Sequence, residues 1–352
     1  MAKKELILDG TKLLYHLERL NAWNKGLPVF PVFVEISPVG FCNQACIFCA
    51  YEYLTRSPGR LDTKRTLSLL DECKRLGVRA VFFSGEGEPL LHPDAVKMIA
   101  HAHAKGLDCA LNTNGILFTG EVSQKILKCL SWVRFSVNAG SAASYRRIHQ
   151  AGRDDFKVLL KNLKDAVRIK RKGGLAVSLG VQLVYLGQGF AEILGFAKTL
   201  KDIGLDYFAV KQFNKHPLSS YNVKVKSGEI EKLKFIEGLS GKNFQVAIRQ
   251  GFDAAASKRN YKKCLGFDFF AEVKCDGGVY PCGPLLGIKR YCYGSIYESS
   301  FKEIWLGKRR KKVVADIHAH LDIDQCMPNC RLHTINDFLW KLKSVPAHVN
   351  FI

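Results

Sequence analysis

Short apolar runs rich in β-branched and aromatic residues alternate with stretches whose apolar positions recur every three to four residues. That alternation predicts strands followed by helices. Strands are expected at Val32–Ser37, Arg79–Ser84, Leu107–Asn112, Trp132–Val137, Val177–Tyr185 and Asp206–Gln212. Helices are expected near Asp62–Leu76, Asp94–Ala104, Glu121–Leu130, Asp154–Arg171, Phe190–Ile203 and Glu229–Leu239. Right-handed crossovers bring each strand beside its predecessor in a parallel sheet. Six such units are too few to close an eight-unit barrel of about 250 residues, so the expected fold is α/β, an open partial (β/α)6 barrel. Ahead of it, Gly10–Trp23 reads as an amphipathic packing helix with Leu13, Leu14, Leu17 and Leu20 at helical spacing. The expected division is an N-terminal extension over 1–28, the barrel over 29–245 and a small cysteine-rich domain over 246–352.

Composition narrows the class. The chain has 352 residues, 47% of them hydrophobic, enough to bury one large and one small domain. It has no apolar run of about 18 residues and no signal-peptide pattern at Met1-Ala-Lys-Lys-Glu5, so neither a membrane span nor export is expected, and the cytoplasm is the expected compartment. Without export, twelve cysteines point to metal or cluster ligation rather than disulfides. A net charge of +21 suits a nucleic acid, an anionic membrane surface or an acidic substrate. No nucleic-acid-binding signature accompanies the basic runs Arg168–Lys172 and Lys308–Lys312, which read as solvated helix faces.

The chemistry is carried by Cys42-x3-Cys46-x2-Cys49 in the loop expected after the first strand. Three thiolates on one short loop suit three irons of a [4Fe-4S] cube and leave the fourth iron open. Structural zinc asks for four ligands, and no fourth cysteine or histidine lies near this loop. The triplet, with Phe48 before its last cysteine, resembles the radical S-adenosylmethionine (SAM) superfamily. The resemblance implies that the open iron chelates SAM, that one electron from the cluster cleaves it to methionine and a 5′-deoxyadenosyl radical, and that this radical abstracts hydrogen from substrate. It also implies a TIM-like partial barrel and an adenine contact at Phe48. Ser84-Gly85-Glu86-Gly87-Glu88-Pro89, after the second strand, is similar to the family's Gly-Gly-Glu-Pro segment, with Glu86 replacing the first glycine. That similarity assigns Gly87 and Glu88 to SAM. Asn112-Thr113-Asn114-Gly115 resembles the family's Thr-Asn-Gly turn; Asn114 is either a turn former or a SAM contact. Ser136 and Asn138 fall on one side of the fourth strand by alternation, where the family contacts the ribose and carboxylate of SAM. Glu35, Gln182 and Lys211 are polar residues within apolar strands, either paired with one another or facing substrate.

The C-terminal third holds Cys264-x12-Gly277-x4-Cys282 and Cys326-x3-Cys330. This pattern resembles the twitch or SPASM extension of radical SAM enzymes. Phe269–Tyr280 reads as a hairpin turning at Asp276-Gly277, which brings Cys264 and Cys282 together at its open end. Four thiolates fully ligate one auxiliary [4Fe-4S] cluster; a four-cysteine zinc site is the alternative. The close cysteine array of a two-cluster domain is missing, so the one-cluster twitch arrangement is expected. Cys275 and Cys292 are left over, either inert or able to return a hydrogen atom to a substrate radical. Cys73, Cys109 and Cys129 read as packed core thiols.

Within the family the expected reaction is oxidation or epimerisation of a sugar, cyclitol or nucleotide-sugar, partly on the positive charge, with an external one-electron reductant such as flavodoxin or ferredoxin. Peptide maturation is the alternative. It usually comes with a dedicated leader-binding domain, and about 30 residues before the first strand are too few for one. A zinc-dependent nucleic-acid-binding protein is the non-enzyme alternative.

Overall fold

The computed structural model describes residues 10–54, 58–223, 227–248, 259–327 and 330–351. Residues 1–9 of the expected extension and 249–258 at the start of the expected cysteine-rich domain lie outside the described residues. The strands are β1 (Phe33–Ile36), β2 (Ala80–Phe83), β3 (Asp108–Thr113), β4 (Trp132–Ser136), β5 (Ser178–Tyr185), β6 (Tyr207–Gln212), β7 (Gln245–Ile248), β8 (Phe270–Val273), β9 (Gly278–Tyr280) and β10 (Gly294–Ser295). The helices are α1 (Leu17–Asn24), α2 (Thr63–Arg75), α3 (Ala95–Ala104), α4 (Gly120–Ile126), α5 (Ala142–His149), α6 (Asp155–Lys172), α7 (Phe190–Ile203), α8 (Ser227–Lys234), α9 (Phe301–Leu306), α10 (Lys308–His320) and α11 (His333–Lys343).

Helix α2 illustrates how the local code works. Asp62 caps it by accepting the Arg65 N–H at 2.7 Å, an interaction of about 1 kcal/mol. Thr66, Leu69, Leu70 and Cys73 form its buried stripe, and Lys74 and Arg75 complement the negative end of its dipole. Each fully buried leucine contributes roughly 1.5–3 kcal/mol.

All six expected strands form, joined in sequence order and parallel from β1 to β6. Four further strands extend the sheet. β7 adds parallel to β6, and β8 pairs parallel with the other side of β1. The β8–β9 hairpin and β10 then follow antiparallel. The cysteine-rich segment thus shares one continuous sheet with the barrel, in the order β10-β9-β8-β1-β2-β3-β4-β5-β6-β7. Val34, Ile36, Val81, Phe83, Leu111 and Val133 join the apolar core under the helices. Strand alternation sends Phe33, Glu35, Phe82, Phe270 and Glu272 to the opposite side, the barrel interior.

The N-terminal segment differs from expectation. Gly10–His16 is a 3-10 helix and only then does α1 begin. The change of pitch leaves Leu14 and Leu17 exposed, while Leu13, Leu20 and Trp23 pack with Phe269 and Leu339 in a second small core.

Candidate functional site

The loop after β1 carries Cys42, Cys46 and Cys49, all partly accessible. Turn bonds close it locally, Cys49 N–H to the Cys46 carbonyl at 3.2 Å. Cys42 Sγ accepts from the Gln44 N–H at 3.4 Å and faces Asn114 Nδ2 at 3.7 Å. Burial pushes the Cys42 thiol up to about 11, with the charges of Glu88 and Cys49 acting the same way and the two donors opposing them. Among the described residues, no three His, Cys, Asp or Glu side chains gather as they would around a single metal ion. A cube distributes its thiolates over separate irons.

The strand-end segment after β2 is fastened to this loop. Gly85, at φ +101°, lies so close to Ser37 that no side chain fits, and the Glu86 N–H donates to Ser37 Oγ at 3.1 Å. A Cβ at Gly87 would run into the carbonyl oxygens of Val39 and Phe41, and the Glu88 N–H donates to Phe41 O at 3.0 Å. Glu88 is buried and receives Thr113 Oγ1–H at 2.7 Å, Asn114 N–H at 2.7 Å and Leu90 N–H at 3.2 Å. Desolvation outweighs these bonds and raises its carboxyl to about 7. Asn114 in turn donates to Asn43 Oδ1 at 2.6 Å. The Glu88 side chain, expected on SAM, therefore braces the ends of β2 and β3, which position the cluster loop.

Ser136 faces the interior and donates to Asn112 Oδ1 at 3.3 Å, beside Arg134 Nε on the same acceptor at 2.8 Å. Asn138 follows just beyond the end of β4. Its Oδ1 accepts the Val184 N–H at 2.6 Å and its Nδ2 meets His149 Nε2 at 3.3 Å, so both amide atoms hold protein partners. Phe48 is half-buried and edge-on to His149 at 6.2 Å.

Of the interior polar residues, Glu35 is buried and bonded to Arg331, whose guanidinium sits 5.3–5.4 Å from the rings of Phe33, Phe82 and Phe270. Glu272, beside Glu35 on β8, accepts from Tyr51 Oη at 3.5 Å. Burial and then the Glu35 charge hold its carboxyl well above the ordinary range, against the pull of Arg331. Gln182 is buried in register with Ala209, and Lys211 with Val184, which places Gln182 and Lys211 on one face.

Cys264, Cys282, Cys326 and Cys330 line one cavity together with Tyr261 and Asn336. Cys282 is driven well up by burial and then by the charges of the other three. Asn336 Nδ2 donates to Cys264 Sγ at 3.2 Å. Four cysteines lining one cavity, a donor aimed at one of their sulfurs and apolar walls suit an iron–sulfur cube.

Cys275 lies buried at the β8–β9 turn, its N–H on Glu86 Oε1 at 3.0 Å and its Sγ 3.9 Å from Lys274 Nζ; Cys292 Sγ lies against Gly294 O at 3.5 Å beside β10. Cys73, Cys109 and Cys129 are buried. Sequence reasoning missed Arg331, Asn336 and His149. His149 is buried, and desolvation lowers its imidazole to about 3.

Among the described residues no helix is long and apolar enough to cross a membrane. A family profile described as the radical SAM superfamily matches residues 36–200, and a SPASM profile, described as an iron–sulfur cluster-binding domain, matches 264–331. The chain is 24% identical over 289 residues to a tungsten-containing aldehyde ferredoxin oxidoreductase cofactor-modifying protein of Pyrococcus furiosus, covering 76% of this chain and 79% of that one. It is 32% identical over 127 residues to the mycofactocin maturase of Mycobacterium tuberculosis, 36% of this chain and 32% of that one. The crystal structure of Streptococcus suis SuiB bound to precursor peptide SuiA superposes with a TM-score of 0.68 at 16% identity, over 95% of this chain and 78% of that one. These findings overturn the expected sugar oxidation or epimerisation. The matching proteins are a cofactor modifier, a maturase and a protein with a precursor peptide, and net charge alone was a weak guide to substrate.

Proposed function

Because this chain belongs to the radical SAM superfamily and carries a SPASM iron–sulfur domain in its C-terminal third, we propose that it is a peptide maturase. A [4Fe-4S] cluster, when bound, supplies the electron that cleaves SAM. Cys42, Cys46 and Cys49 are the residues assigned to hold it. Gly87 lets the β2 end approach the loop, and Glu88 and Asn114 brace it. Cys264, Cys282, Cys326 and Cys330 are assigned to one auxiliary cluster, the twitch arrangement.

One observation carries the peptide reading. Among the described residues the sheet ends at β7 on one side and β10 on the other, with no pairing between them. A barrel open along its side admits an extended chain, whereas a closed barrel offers only its mouth to a small ligand. The interior wall next to both cysteine sites, built from Glu35, Glu272, Arg331 and Tyr51, offers polar partners for a peptide backbone. The breadth of the match to the cofactor-modifying protein favours a second reading, modification of a metal-binding organic cofactor.

The test is anaerobic incubation with SAM, a reductant such as flavodoxin, and short peptides encoded beside the gene. The reading expects a SAM-dependent mass change in one peptide and at least a tenfold rise in 5′-deoxyadenosine. Deoxyadenosine formation indifferent to every peptide but stimulated by the cofactor of a tungsten-containing aldehyde ferredoxin oxidoreductase would replace it with the second reading.

A further inference from the structure

The end of α5 is built around Cys46. Ala45 N–H donates to the His149 carbonyl at 3.1 Å and Ile47 N–H to the Ile148 carbonyl at 3.0 Å, so the residues flanking Cys46 are both pinned to the last turn of the helix. The helix stops there because Gln150 turns left-handed, at φ 49°. The His149 side chain then reaches back to the same loop: Nδ1 lies 3.0 Å from Gln44 Oε1 and 3.4 Å from Cys46 Sγ. Its tautomer is set by geometry. The main-chain N–H of Asn138 can only donate, and it points at Nε2 from 3.0 Å. Nε2 is therefore the acceptor, and in the neutral ring the proton sits on Nδ1, facing Gln44 Oε1 and Cys46 Sγ. Gln44 is itself oriented, its Nε2 donating to Tyr145 Oη at 2.8 Å, and the Tyr145 ring stacks on the imidazole at 4.2 Å. Asn138 joins this assembly to β5 through the Val184 N–H.

We propose that His149 is a positioning residue for the N-terminal cluster: its Nδ1–H donates to the Cys46 sulfur, fixes that ligand's rotamer and raises the cluster's reduction potential. Reduction adds negative charge to the cube. A donor on a ligating sulfur stabilises the reduced form more than the oxidised one, and such hydrogen bonds are among the factors that set iron–sulfur potentials. Partners that orient a metal ligand commonly matter tenfold or more in affinity or activity. The same ring ties the loop, through Asn138, to the strand end where Ser136 enters the barrel, so the thiolate and the barrel wall move together.

This inference rests on Cys42, Cys46 and Cys49 holding the SAM-binding cluster. The test measures the midpoint potential of the cluster whose electron paramagnetic resonance signal changes on adding SAM, with iron per chain measured alongside. His149→Phe keeps the stack on Tyr145 and removes the hydrogen bonds of both ring nitrogens. The expected result is a tenfold less favourable one-electron reduction, a fall of about 59 mV, with iron content unchanged. His149→Asn places an amide nitrogen near the position of Nδ1 and is expected to recover most of the shift. His149→Gln serves the Nε2 side only and is expected to stay low. Should the Phe variant fail to hold iron, the Asn and Gln variants decide. A parent-like potential in the Phe variant, or equal potentials in Asn and Gln, overturns the inference. Absence of any SAM-responsive signal in the parent protein overturns the cluster assignment instead.

Discussion

Asn336 is the residue on which the auxiliary site can be tested without catalysis. It is buried on α11, with Oδ1 accepting the N–H groups of Leu265 at 2.5 Å and Gly266 at 2.7 Å and Nδ2 donating to Cys264 Sγ. Asn336→Leu keeps the volume and strands two main-chain donors. Each orphaned buried donor costs about 1–3 kcal/mol and the added apolar packing returns about 1 kcal/mol, so the apo chain should lose roughly 1–5 kcal/mol. Asn336→Asp keeps an acceptor for both main-chain donors but exchanges the donor to Cys264 for a negative charge beside a thiolate. The Asp variant should therefore unfold close to the parent as apoprotein, yet lose most auxiliary iron on anaerobic reconstitution. Urea unfolding followed by circular dichroism measures the first quantity and iron per chain the second. A Leu variant within 0.5 kcal/mol of the parent (the order of a neutral surface change), or an Asp variant with full iron, would refute the reasoning.

Gly87→Ala should weaken SAM binding at least tenfold, because the new methyl group meets main-chain oxygens of Val39 and Phe41 that cannot yield; equilibrium dialysis with labelled SAM measures it. Gly195→Ala, at an exposed position of α7 with open space around it, is the control and should be neutral or stabilising by about 0.5–1 kcal/mol. Glu88 predicts a pH dependence. Its folded-state carboxyl is raised from 4.5 to about 7, so the folded chain binds the proton more tightly and the stabilisation is complete below pH 4.5 and lost as pH rises through 7. The stability difference between parent and Glu88→Gln should thus shrink between pH 5 and pH 8. A thermal-melt difference that stays constant or widens would show that the carboxylate's three donors outweigh its burial.

The barrel was legible because its signals are local. Each strand, and each α-helix but α5 (Ala142–His149), from Val32 to Gln212 announces itself by periodicity within its own segment, and Cys42-x3-Cys46-x2-Cys49 is a single loop; α5 was not expected from sequence. The contacts that finish the site are not local. His149 reaches Cys46 from 103 residues away, Asn336 reaches Cys264 from 72, and Arg331 reaches Glu35 from 296. Nothing in the spacing of those residues encodes the meeting. Pairing of β8 with β1 was hidden for the same reason, since a hairpin signal fixes its own register and not its neighbour. Leu14 and Leu17 misled because helical spacing was assumed where the chain takes a 3-10 turn. The positive charge misled about substrate because a net charge does not say what its cations meet: Arg310 sits on Asp268 and Trp305, and Arg309 on the carbonyl of Cys292.

The most direct measurement is 5′-deoxyadenosine formed by the anaerobically reconstituted chain under dithionite, compared with a Cys42→Ala/Cys46→Ala/Cys49→Ala variant whose auxiliary cysteines are intact. The parent should release deoxyadenosine. The variant should keep the iron of one four-iron cube and release none above the enzyme-free background. Undiminished deoxyadenosine from the variant, or none from a parent fully loaded with iron, would contradict the account.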